Sequence, residues 1–165
     1  MYLIDHQKIK AAFVGQLHKH LGLPVIMTDQ AAPQPSYPFI GFTFVAPYVD
    51  KSPYGNHFIQ DEHRIEKLAA VTISITCYAK SSQDGYRISG QARDWFQGIG
   101  RNLLKDAGIV VVKLEATTAR DTLLTYDYER RIGFDVHMRM VDVIEYDEDM
   151  IEKIKMKSSG MMSSP

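Results

Sequence analysis

Asp135, His137 and Arg139 stand two residues apart within Gly133-Phe134-Asp135-Val136-His137-Met138-Arg139. A carboxylate, an imidazole and a guanidinium are the groups from which acid–base sites and oxyanion clamps are built. At this spacing they share one face of a β-strand. A strand also sets them about 7 Å apart, too far for direct hydrogen bonds without partners from neighbouring strands. A charged outer face or a subunit contact accounts for the array more simply than an active site does.

Other chemistry is sparse. The six histidines are His6, His18, His20, His57, His63 and His137. His18 and His20 lie two apart on an expected helix and so do not share a face. No His-x-x-x-His or Cys-x-x-Cys pair occurs, so neither a dedicated metal site nor a cofactor is expected. There is no Gly-x-Ser-x-Gly and no phosphate-binding glycine loop. Gly98-Ile99-Gly100 lacks the preceding strand and third glycine of a dinucleotide fingerprint. The single cysteine, Cys77, reads as a small buried hydrophobe.

Two charged knots remain, Arg120-Asp121 and Glu129-Arg130-Arg131. Arginine grips carboxylates with two prongs, which suits specific contacts between chains. Two solvated turns flanking a hairpin would look the same. Lys8, Lys10, His18 and Lys19 give the first helix a basic face, most simply a solvated one. A nucleic-acid module would use its lysines. Phe39, Phe42 and Phe44 carry no interleaved basic residues, so a base-stacking platform is poorly supported.

Composition narrows the class. The chain has 165 residues, 45 % hydrophobic and 24 % charged, with net charge −1. That is ordinary for a soluble domain with a sizeable core, and it argues against general affinity for nucleic acid or anionic membrane. One cysteine allows no internal disulfide and points to a reducing compartment. No apolar run approaches the roughly 18 residues of a membrane span. Met1-Tyr2-Leu3-Ile4-Asp5-His6 is not expected to be a signal peptide.

The elements that must position these residues follow from periodicity. Asp5 to Leu21 is a helix capped by Asp5, stapled by Ile4 and Ile9, striped by Ile9, Phe13, Leu17 and Leu21, and ended by Gly22 and Pro24. Val25 to Met27 is a short strand. Three prolines make Asp29 to Pro38 an extended connector. Phe39 to Val45 is a strand, and Pro47 to about Asp61 a long loop with Pro53, Gly55 and Asn56 as turn residues. His63 to Tyr78 is a long strand with Thr72, Ser74, Thr76 and Tyr78 opposite Val71, Ile73, Ile75 and Cys77. Ser81 to Asp84 opens a helix reaching Lys105, with Ile88, Ala92, Trp95, Phe96, Ile99 and Leu103 inward. Its glycines suggest close packing or a kink near Gly98. Ile109 to Glu115 is a strand, and Thr117 to Tyr126 a polar connector. Ile132 to Met140 alternates strictly and continues as a strand to about Ile144.

The expected fold is therefore α+β. A mainly antiparallel sheet carries two helices packed on the face holding Ile73, Ile75, Phe134 and Val136, and its other face is polar. A single domain over 1–157, with a C-terminal extension from about 146 and a flexible tail over 158–165, completes it. Met161 and Met162 would suit an arm that orders on a neighbouring subunit.

The order of elements and several short motifs resemble the neck and tail-terminator proteins of tailed bacteriophages. The matching pieces are Pro38-Phe39-Ile40, Ile73-Ser74-Ile75-Thr76-Cys77-Tyr78-Ala79, Ala92-Arg93-Asp94-Trp95-Phe96, Arg120-Asp121, and Tyr128-Glu129-Arg130-Arg131-Ile132-Gly133-Phe134-Asp135-Val136. The last is the most specific. The resemblance runs from about Asp5 to Ile154. It implies a structural, non-enzymatic virion protein, assembled in the host cytoplasm into a ring, commonly of six subunits, at the head-proximal end of the tail. Such a ring stops tube polymerisation. Its partners would be its own copies, the tail tube protein and the head-side connector. DNA would pass through the lumen without specific binding, and no membrane is involved. Arg120, Asp121, Glu129, Arg130 and Arg131 would then make ion pairs between subunits or rings. The 47–61 loop and the C-terminal tail would meet the tube and connector. The competing classes are a small enzyme using Asp135, His137 and Arg139, and a nucleic-acid module using Lys8, Lys10 and Lys19.

Ser158 to Pro165 shows no packing pattern. Deleting these residues is expected to leave the thermal unfolding midpoint unchanged within about 1 °C; a large drop would mean that the tail is packed.

Overall fold

The computed structural model describes residues 4–51, 59–60, 64–121 and 129–145. Helix α1 spans His6–Leu21. The Asp5 carboxylate accepts from the backbone N–H groups of Gln7 and Lys8 at 3.0 and 3.1 Å, satisfying two donors that the first turn leaves open. Gly22, at φ 68°, closes the helix in a left-handed turn. Ile9, Phe13 and Leu17 fall on one stripe and are buried.

Strands β1 (Val25–Met27), β2 (Phe39–Asp50), β3 (Ile59–Gln60), β4 (Arg64–Ala79), β5 (Val110–Leu114), β6 (Thr118–Ala119) and β7 (Arg130–Glu145) form one sheet. Its order is β1-β2-β4-β7-β5, with β3 on β4 and β6 on β7. Among the described strands only the β1–β2 pair is parallel. The fold is α+β, as expected. At its centre β4 and β7, each 16 residues long, pair without a break from Arg64↔Glu145 to Ala79↔Arg130.

Helices α1, α2 (Ser82–Gln97) and α3 (Ile99–Asp106) pack on one face. Ser81 caps α2, accepting from the Asp84 N–H at 3.2 Å. Phe13 contacts Phe42 and Phe96 at 5.0 and 6.0 Å between centroids, and Phe96 contacts Phe134 at 6.1 Å, so one aromatic chain ties two helices to β2 and β7. Ile73, Ile75, Val136 and Met138 complete this core. Arg93, on α2, lies over the Phe134 ring and donates to the Glu115 carbonyl at 2.5 Å.

Three expectations change. The long loop does not begin at Pro47, because β2 continues to Asp50, and Ile59–Gln60 is a strand. Proline fits there because β2 pairs only with β4 at that point and its register shifts twice between Phe44 and Val49. The single long helix is two. Gly98, at φ −110° and ψ −109°, breaks it. Gly100 then lies against the Trp95 ring, where an added Cβ would come within 2.3 Å of Cε3. The break shifts the inward stripe, so Leu104 is buried and Ile99 is 63 % exposed. The 117–126 connector contains β6. Pro53, Gly55, Asn56, Tyr128 and the C-terminal extension lie outside the described residues.

Gly133 pairs with Thr76 and lies close against the Ile75 carbonyl. A Cβ there would stand 2.1 Å from the Ile75 carbonyl oxygen, a backbone atom that cannot swing aside. Gly133→Ala is therefore expected to cost about 2–3 kcal/mol by overpacking. That would lower the unfolding midpoint by about 4–12 °C in a circular-dichroism melt; an unchanged midpoint would refute the close approach.

Candidate functional site

The face of the sheet away from the helices carries the charged and hydroxyl residues. On β7 these are Arg131, Asp135, His137 and Arg139; opposite them on β4 stand Tyr78, Ser74, Thr72 and Ala70. Arg120 follows β6 and is fixed by its N–H donating to the Arg131 carbonyl at 2.6 Å. Its guanidinium then lies across the sheet, donating to Ser74 Oγ, to Thr76 Oγ1 at 3.3 Å and to Asp135 Oδ1 at 2.9 Å. Arg120 thus spans both central strands and uses the Asp135 carboxylate.

Asp121 turns the other way. It accepts from the Arg131 backbone N–H and from the Arg130 guanidinium, both at 2.9 Å. These donors, the backbone one foremost, hold its carboxyl below the usual aspartate value. Glu129 is buried, its side chain only 3 % exposed. It accepts from Arg131 Nε at 2.5 Å and from the Tyr37 hydroxyl. The Arg131 guanidinium also covers the Tyr78 ring, Tyr78 stacks on Phe39 with 4.6 Å between centroids, and Phe39 stacks on Tyr37. Arg131, Tyr78, Phe39, Tyr37 and Glu129 therefore close a ring of contacts that clamps the proline-rich connector to β7. The five charged residues of the two knots cluster at this one end of the sheet, and their described ion pairs run within the chain.

Farther along, the His137 ring bridges Thr72 Oγ1 at 2.9 Å and Glu115 Oε1 at 3.0 Å. Lys113 reaches the same Glu115 oxygen at 2.9 Å. Hydrogen bonds from Lys113, then His137, hold the Glu115 carboxyl below its usual range. Hydroxyl, imidazole and carboxylate in series resemble a nucleophile, a base and its orienter. Thr72, however, lies in a strand paired on both sides, facing Ala46 and His137. Pairing on both sides commits strand N–H groups to the ladder, which disfavours an oxyanion-binding pair of donors beside this hydroxyl. Asp135, His137 and Arg139 are not brought together: the first serves Arg120, the second Thr72 and Glu115, and the third is exposed. Lys8 and Lys19 are exposed on α1 and Lys10 is half-buried. Burial pushes the Cys77 thiol up to about 12, so it stays protonated and inert. Among the described residues no group of three or more histidine, cysteine or acidic side chains is placed to hold a metal ion.

Sequence reasoning missed Tyr37, Ser74, Thr72 and Glu115 as partners. The alternation Thr72, Ser74, Thr76, Tyr78 was the available signal: it puts hydroxyls on the polar face. Which β7 residue each would meet needed the register.

A family model described as phage neck terminator protein matches residues 8–160. Among curated proteins none matches the chain. One solved structure aligns over 88 % of this chain and 99 % of its own, at 13 % identity and a TM-score of 0.42, too distant a likeness to bear on function.

The Asp121 contacts imply a pH signature. A carboxyl whose folded pKa lies below its unfolded value adds stability above the unfolded value, and that stability is lost as pH falls through the folded one. Asp121 should therefore support the fold at neutral pH, and its contribution should decline as pH falls below about 4 toward its lowered folded-state value. Asp121→Asn is expected to lower stability at pH 7 by about 0.5–1 kcal/mol, the pair being part-exposed. It should also flatten the loss of stability as pH falls below about 4 in urea titrations. Parallel curves for both proteins would show that the contacts contribute nothing.

Proposed function

This chain belongs to the phage neck terminator family, and on that premise we propose that it closes the head-proximal end of a phage tail as a ring of six copies. The ring ends growth of the tail tube, presents a surface to the head-side connector and leaves a lumen for DNA. The protein works as a structural part of the virion, assembled in the host cytoplasm, and performs no catalysis. The observation that carries this reading is the family match over residues 8–160.

The physical character of the chain supports it. A closed ring of identical subunits needs a heterologous interface, two different patches of one surface that fit each other. The sheet offers a face that no helix among the described residues covers. A net charge of −1 suits a lumen that must let DNA slide, since strong attraction would oppose passage. Among the described residues no helix is long and apolar enough to cross a membrane.

Arg120, Asp121, Glu129, Arg130 and Arg131 form the proposed contact between subunits or rings. Within that knot the roles divide. Glu129 is buried and holds Arg131, so both fix its shape. Arg130 and Asp121, with side chains 38 % and 36 % exposed, are the members that face outward. Arginine at such a rim adds specificity more than affinity.

Light scattering across a concentration series, with and without the tail tube protein, tests the reading. Closed rings, or rings that form on tube ends, are expected; a strict monomer that never joins a tube end would overturn it. Arg130→Glu should reduce the ring fraction at least several-fold while costing the subunit no more than about 1 kcal/mol. Exchanging the pair as Asp121→Arg with Arg130→Glu should restore the internal bridge but not the ring. Rings of unchanged stability in Arg130→Glu would remove the knot from the interface.

A further inference from the structure

A groove of about 610 Å³ opens on the outer face, away from the charged knot, where β2, β4, β7 and β5 meet. Its floor is apolar: Val49 and Val112 are 37 % and 56 % exposed, with Ala70 between them. Cations stand around it. Lys113 is paired with Glu115, but Lys51 and Arg139 have no ion-pair partner among the described residues. Exposed valines flanked by these two cations, with the one lining carboxylate, Glu115, held by Lys113, favour a peptide that carries carboxylates next to aliphatic side chains.

The chain itself contains such a peptide. Twenty residues follow Glu145, the end of β7, enough to reach about 65 Å when extended. They open with Tyr146-Asp147-Glu148-Asp149-Met150-Ile151, three successive carboxylates, then an adaptable methionine and an aliphatic isoleucine, with Ile154 beyond. We propose that the groove is the docking site for residues 146–157 of a neighbouring copy. The supply of that copy rests on the ring reading above.

The neighbour is favoured over the chain's own segment for a geometric reason. Arg139 lies only six residues before Glu145 on β7 itself. Glu145 stands about 20 Å beyond Arg139 along the strand, and Asp147 to Asp149, only two to four residues past Glu145, could reverse over no more than about 7–14 Å of that distance. A segment from another copy enters in either direction without that reversal. The carboxylates would meet Lys51 and Arg139 and set the register. Met150 and Ile151 on Val49 and Val112 would supply the affinity, since exposed ion pairs contribute little.

Cysteine pairing tests this in the full chain, because the only native thiol, Cys77, is buried. Val112→Cys protein is mixed with Ile151→Cys protein under mild oxidation; Val49→Cys replaces Val112→Cys if needed. Tyr86→Cys, at an exposed position on α2, is the control partner. A mixed disulfide several-fold above the control is expected. It should fall several-fold with Lys51→Glu and Arg139→Glu, and return when Asp147, Glu148 and Asp149 are also changed to lysine. Cross-linking no greater than the control, or only within single chains that carry both cysteines, overturns the proposal. Light scattering on the same samples separates the two readings: rings without the cross-link sink the groove alone, whereas the loss of both sinks the ring as well.

Discussion

The unbroken ladder between β4 and β7 is the constraint on which the rest of the molecule depends. Its register sets Ile73 against Val136 and Ile75 against Phe134 on the helix side, and Ser74 against Asp135 and Thr72 against His137 on the other. Side chains alternate with a period of two, so a slip of one residue would send every aliphatic side chain outward and every hydroxyl and charge into the core. The alternation along both strands makes that slip prohibitive. The same ladder therefore builds the core and assembles the outer surface.

The outer surface is organised by arginines that bridge elements. Arg120 ties β6 to both central strands, and Arg131 ties Glu129 and the Tyr78–Phe39–Tyr37 stack to the start of β7. A buried carboxylate such as Glu129 is costly unless every lone pair finds a donor. Arg131 and the Tyr37 hydroxyl supply donors from two directions. Removing either would leave a charge stranded out of water, so the knot behaves as one unit and not as a sum of surface bridges.

Much of this was legible in the chain because it was written locally. Asp5 and Gly22 mark the ends of α1, Ser81 marks the start of α2, and strict alternation marks β7. What stayed hidden depended on contacts between distant residues. Pro47 reads as a loop unless the bulges in β2 and its one-sided pairing are known. Ile99 reads as core until Gly98 breaks the helix and resets its phase. The knots were visible as charge clusters, but their partners were not, because Tyr37 and Glu129 are 92 residues apart in sequence. Family membership came from motif order and not from any single site.

The break at Gly98 has an optical consequence. Trp95 is the sole tryptophan, 2 % exposed, with Phe96 edge-on at 4.9 Å and Gly100 filling the space over its ring. The indole is thus a built-in fluorophore at the joint between α2 and α3, shielded from water and remote from the outer face. Its emission is blind to events on that face unless they bend the helix pair. A shift in colour during assembly would register strain transmitted through the core, and a constant colour would register subunits that join as rigid bodies.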